Sequence, residues 1–181
     1  MDPVRELKIR AEILHKAVAS QDAGAIGRLR ALPEHARATD DDLARWATEV
    51  QHKHCLAVVA RECGFSKWAH ARRVLEGDLT EVDLGTLLYG REPGSSGTLH
   101  SWFSTYDDAR AAFEGSHAEG RRPYLLGYKR HIFLADALFI DSLGVSPDDP
   151  DWEAIGWDWV RPADLAARAR LFHKRLVSGV P

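Results

Sequence analysis

The sequence predicts an α+β protein: a helical N-terminal module, residues 1–78, packed on a small, mostly antiparallel sheet with flanking helices, residues 79–181. Three observations carry that reading. Apolar residues recur at helical spacing through the first part, as in Leu7, Ala11, Leu14 and Val18. Composition shifts after Gly77-Asp78, where the helical run ends. Further on, Tyr124–Leu134 gathers aromatic, branched and long apolar residues without a helix-breaking run, which makes it the longest strand candidate.

Length and charge bound the rest. A chain of 181 residues can bury a core without disulfides or metals. No stretch approaches the ~18 consecutive apolar residues of a membrane span, and the Met1-Asp2-Pro3 start leads into charged helix, so neither membrane span nor secretory signal is expected. Cys55 and Cys63 share one helical segment, where eight positions place them about 12 Å apart, too far for a disulfide. A reducing, cytoplasmic setting is the expectation that fits best. Residues 1–78 carry 13 Lys+Arg against 12 Asp+Glu, and residues 79–181 carry 11 against 15, a net charge of −4. The chain as a whole is not the basic molecule that nucleic-acid binding favours, although a local basic face is compatible with it.

In the first part, Val4–Ser20 is a helix with Pro3 suited to its first turn. Asp22 starts a short helix that runs to Leu32 and ends at Pro33. Thr39 or Asp40 caps the next helix, with Asp41 and Asp42 favourable against its dipole. The helical segment Leu43–Cys63 is expected to break near Gln51. Gly64 turns the chain, Ser66 is a fresh N-cap, and Lys67–Glu76 is the last helix, closed by Gly77.

Within this part Val50–Gly77, carrying His52, Leu56, Val59-Ala60, Gly64-Phe65 and Trp68, resembles the helical module at the N-terminus of bacterial glyoxalase-superfamily proteins and some ankyrin-repeat proteins. No glyoxalase-type repeat or metal-binding His/Glu pattern follows, so the resemblance implies a helical fold and not that chemistry. Val59–Ser66 also resembles the first helix and turn of the helix-turn-helix in AraC-type regulators. On that resemblance Lys67, His70, Arg72 and Arg73 are the candidates for a DNA groove. The competing reading is a helical hairpin with Trp68 packed inward and the arginines solvated, and it is favoured by the bulky Trp68 and the lack of a second such unit. A metal is not expected, because His52, His54, Cys55, Cys63 and His70 form no CxxC or HExxH spacing.

In the second part Leu84–Tyr89 is a strand, Gly90–Thr98 a loop without the features of a phosphate loop, and Leu99–Phe103 a second strand. Ser104 or Thr105 caps a helix over Asp107–Gly115. After the long strand, Asp136 caps a helix Ala137–Leu143 stopped by Gly144. Asp151–Ile155 is a short helix ended by Gly156, and Pro162 opens the last helix, Ala163–Leu176. The shapes Trp102–Ala109 and Asp149–Pro162 are similar to stretches of uncharacterised bacterial proteins, a resemblance that implies no activity.

These elements predict a binding protein that holds a small molecule or a partner segment in a cleft between the sheet and the Trp152–Trp159 loop. Trp102, Tyr106, Tyr128, Trp157, Trp159 and Arg161 are the candidate ligand-binding residues. Trp152, Trp157 and Trp159 suit an anchor for the loop better than a ligand wall. A second reading is an enzyme with His100 or His131 as acid/base and Asp158 orienting the imidazole, which requires the two histidines to face one cleft. Strand alternation pairs Lys129 with His131, and Tyr128 with Arg130. No motif specifies a cofactor, and no nucleophile motif of the G-x-S-x-G type is present. DNA binding through Val59–Glu76 is the third reading, and membrane association is not expected.

Overall fold

A computed structural model describes residues 2–76, 87 and 99–178. The chain divides into two compact units, Val4–Glu76 and Met1–Pro3 with Gly77–Pro181. The described residues form an α+β fold of nine α-helices, three short 3₁₀ turns and one three-stranded antiparallel sheet. No helix among them is long and apolar enough to cross a membrane.

The first unit is all helical. Helix α1 (Pro3–Ala19) buries Leu7, Ala11, Leu14 and Val18, the stripe its spacing defines. Asp22 accepts the Ala25 N–H and caps α2 (Ala23–Arg28), which continues as a 3₁₀ turn, Leu29–Ala31. Thr39 and Asp42 form a reciprocal capping box on α3 (Asp40–Trp46). The helical segment does break as its residues suggest, through a 3₁₀ turn at Ala47–Glu49, before α4 (His52–Glu62) starts after Gln51. Gly64, at φ +83°, takes the left-handed conformation that ends the helix. The last helix, α5 (Trp68–Leu75), starts one residue later than expected, with Lys67 rather than Ser66 at the N-cap position and no side-chain capping bond. The reason is local: Ser66 gives its backbone N–H to His70 Nδ1 at 3.2 Å, so the chain is still turning there.

In the second unit Thr105 is the cap of α6 (Tyr106–Ala118), accepting from Asp108 N–H. Strand β1 (Ser101–Phe103) precedes it, and β2 (Tyr124–Tyr128) and β3 (His131–Ala135) follow in the sheet order β1-β3-β2. The expected strand Leu84–Tyr89 and loop Gly90–Thr98 lie outside the described residues, apart from a buried Leu87.

One element differs in kind. Tyr124–Leu134 is not a single strand but a tight hairpin, with Tyr128 paired to His131 and Lys129-Arg130 as the turn. Lys129 takes φ +56°, a left-handed conformation with no Gly, Asn or Asp to announce it. The alternation expected of one strand fails with it: Lys129 leaves the sheet, and Tyr128 rather than Lys129 is the neighbour of His131.

The remaining elements cover the sheet. Asp136 accepts the Phe139 N–H and caps α7 (Ala137–Ser142), which Gly144 ends at φ +75°. Asp149 caps α8 (Pro150–Ala154). The final helix, α9 (Leu165–Val177), begins two residues later than its sequence suggests, because Asp164 accepts the N–H groups of Ala166 and Ala167 and outcompetes Pro162 as the start signal. The register sorts side chains onto two sheet faces. Leu125, Ile132 and Leu134 face Ala109 and Phe113 of α6, together with Val160 and Trp157. The opposite face carries Tyr124 and Phe133, which meet Trp152 of α8 and Phe139 of α7.

Candidate functional site

Among the described residues an open cleft lies at the end of the sheet where β1 begins and β3 ends. Its volume is about 350 Å³, and Leu99, Ser101, Ser116, Arg121, Arg122, Pro123, Leu134, Ala135 and Asp136 line it. Three elements converge to make it. The Ser101–Leu134 pair forms the sheet floor. Ser116, on the last turns of α6, forms one wall. The chain then turns at Gly120, φ +78°, and delivers Arg121-Arg122-Pro123 along the other side before Tyr124 enters β2. Pro123 cannot donate to the ladder, so the strand starts one residue later and the two arginines remain outside it.

Arg122 places its guanidinium 5.5 Å from the centroid of the Trp157 ring. Trp157 is itself fixed by the backbone: its carbonyl accepts the Leu125 N–H at 2.8 Å, and the Trp159 N–H returns to the Leu125 carbonyl at 2.9 Å. Thus Trp157, at φ +53°, runs beside β2 and presents its ring to Arg122. Arg121 pairs with the exposed carboxylate of Glu119. Asp136 is committed to its helix through the 2.8 Å bond from Phe139 N–H.

A second cluster lies on the α6 side of the sheet. The Tyr106 hydroxyl donates to Asp158 Oδ2 at 2.5 Å, the Arg161 N–H donates to Oδ1 at 2.8 Å, and Arg110 Nη1 stands 3.5 Å from Oδ2. The Arg161 guanidinium caps the Tyr106 ring at 3.8 Å. Asp158 is only 2% exposed, so its carboxylate is a buried anchor with donors on both oxygens. Burial, and then the bond to Asp158, pushes the Tyr106 hydroxyl up to about 12. At neutral pH it is a proton donor fixed on a carboxylate, not a base.

The sequence-predicted site residues are divided by this geometry. Tyr106, Asp158 and Arg161 come together, but in the buried anchor rather than in an open cleft. His100 and His131 do not meet. Both lie on the sheet face opposite Asp158, on either side of Trp102, whose ring centroid is 6.5 Å from His100 and 6.4 Å from His131. Asp158 therefore orients neither imidazole, and the acid/base arrangement of those three residues is not formed.

The candidate ligand-binding residues Trp102, Tyr128 and Trp157 do not share one wall either. Trp102 stacks on Phe133 at 4.7 Å on one face, while Trp157 packs with the α6 cluster on the other. Trp159 is fully buried beneath the Arg168 guanidinium, and Trp152 gives its indole N–H to the Ser146 carbonyl at 3.1 Å. Those two tryptophans act as anchors.

In the first unit Lys67 and Arg72 are exposed, but Arg72 faces Glu76 at 3.6 Å and His70 is held against Ser66 and the edge of Phe65. Among the described residues no group of three or more His, Cys, Asp or Glu side chains is placed to hold a metal ion. Sequence reasoning missed Ser101, Ser116, Arg121, Arg122 and Asp136. The one available signal was the pair of adjacent arginines before Pro123.

Fold and cleft together define an α+β protein with a small-molecule-sized recess beside its sheet. No family model, no curated protein and no solved structure matches the chain.

Proposed function

We propose that this chain is a binding protein whose C-terminal unit holds a small molecule in the cleft at the end of the sheet. The observation that carries the reading is the cleft itself, about 350 Å³ in volume and lined by both apolar and polar side chains. That volume falls within the range of small-ligand sites, and the mixture of an apolar floor with a few convergent polar groups is their usual makeup. Leu134 and Pro123 supply apolar contact, and Ser101, Ser116 and the two arginines supply orientation. The scaffold supports such a role, because Leu134 and Ala135 belong to the paired strand β3 and Ser116 to α6.

The test is a protein-observed fragment screen by NMR on the full chain. Binding compounds are expected to shift the amides of Ser101, Ser116, Leu134 and Ala135 together. Compounds that map instead onto the exposed Trp102 and His131, with the cleft amides unmoved, would refute the reading.

A further inference from the structure

Resting on the reading that this cleft binds a small molecule, we propose that its occupant carries an oxyanion, a carboxylate or a phosphate, gripped by Arg122 with help from Arg121. Among the described residues Arg122 makes no hydrogen bond or ion pair; its guanidinium lies over the Trp157 ring at 5.5 Å. A guanidinium braced against an aromatic face keeps its N–H edges available and has less rotamer freedom left to lose on binding. The planar fork then matches a carboxylate or phosphate through two parallel bonds.

Arg121 stands next to it on the same wall, paired with Glu119. Both of those side chains are about two-thirds exposed, so their ion pair contributes little and exchanges readily for a better partner. Ser101 and Ser116 add hydroxyl donors. The single carboxylate in the lining, Asp136, is occupied in capping α7 and so opposes an incoming anion less than a free one. The setting sharpens the inference. Residues 79–181 carry a net charge of −4, yet the lining of this cleft holds two cations and one anion. With Glu119 on Arg121 and Asp136 committed to α7, Arg122 is the cation of this wall left to meet an anionic ligand.

The experiment titrates the isotopically labelled full chain with inorganic phosphate, and separately with citrate, at ionic strength held constant with sodium chloride. The Arg122 side-chain N–H and the amides of Ser101, Leu134 and Ala135 are followed. Saturable shifts of these groups are expected. Arg122→Gln should weaken binding about tenfold or more, the loss of a charge-assisted contact. Arg122→Lys keeps the charge but not the fork, and should weaken it several-fold. Unchanged shifts elsewhere in each variant's spectrum establish that it is folded. Equal affinity in wild type and Arg122→Gln overturns the proposal. Neutral fragments that move the cleft amides while phosphate and citrate do not also overturn it, and leave the binding reading standing. If no compound of either class moves them, both fail.

Discussion

Removing one hydroxyl, in Tyr106→Phe, tests whether Asp158 is the buried anchor of the C-terminal unit. The substitution keeps the ring under the Arg161 guanidinium at 3.8 Å and deletes only the 2.5 Å bond to Asp158 Oδ2. Asp158 keeps the Arg161 N–H at 2.8 Å and the distant Arg110 contact at 3.5 Å. A hydrogen bond to a charged group contributes about 1.5–3 kcal/mol, and this carboxylate has almost no water to replace the lost donor. The expected loss is about 2 kcal/mol, read as a lower urea midpoint with an unchanged m-value. Asp158→Ala should cost as much or more, since it strands the Tyr106 hydroxyl and the Arg161 N–H. Because the two residues share one bond, a double-mutant cycle should give a coupling of at least about 1 kcal/mol.

There is also a signature in pH. Burial and the Asp158 bond push the folded hydroxyl up to about 12 from its ordinary 10.0, so the protonated form is favoured by folding. Its contribution is complete below pH 10 and is lost as pH rises from 10 towards 12. Wild type should therefore lose stability across that window more steeply than Tyr106→Phe. A variant within about 0.5 kcal/mol of wild type, with no coupling and the same alkaline limb, would refute the anchor.

Two further outcomes follow from the same side-chain environments. Asp151 of α8 is held below the usual carboxylate range, chiefly by its bond from Arg170 and also by Lys174. A depressed carboxylate stabilises the fold above its unfolded value and ceases to do so as pH falls through the folded one. Asp151→Asn should cost about 1–3 kcal/mol at neutral pH, between exposed and buried ion pairs, and flatten the acid unfolding limb below pH 4 in urea titrations. Cys55 and Cys63 are buried, and burial pushes the Cys55 thiol up. Neither thiol should react with Ellman's reagent in the native protein at neutral pH, and both should react in urea; rapid native labelling would contradict their burial.

How much of this was legible in the sequence depends on the range of the interaction. Local chemistry was readable: Asp22, Thr39, Thr105 and Asp136 each cap the helix their position announces, because a cap needs only a side chain and an N–H three residues away. The α1 stripe was readable for the same reason, one helix face being one sequence period. The hairpin was hidden because Lys129-Arg130 has none of the residues that favour a left-handed turn. That single miss reversed which of Tyr128 and Lys129 neighbours His131.

The site was less legible, since which face a residue occupies follows from register and not from proximity in sequence. His100 and Asp158 look equally polar in the chain, yet the sheet stands between them. The sequence suggests Tyr106 and Arg161 as ligand contacts and Asp158 as an orienting carboxylate; their convergence is real but serves packing. The cleft draws on β1, α6 and β3, and its arginines precede a strand whose start only Pro123 hints at.

The most direct measurement is the binding of one small-molecule library to wild type and to Ser116→Trp. Ser116 lines the cleft from α6, a helix that accommodates tryptophan, and an indole there would fill the recess while leaving the sheet and the Asp158 anchor untouched. Binding in the cleft predicts that compounds held by wild type are lost or weakened at least tenfold in the variant. The same compounds binding both proteins with equal affinity would contradict it.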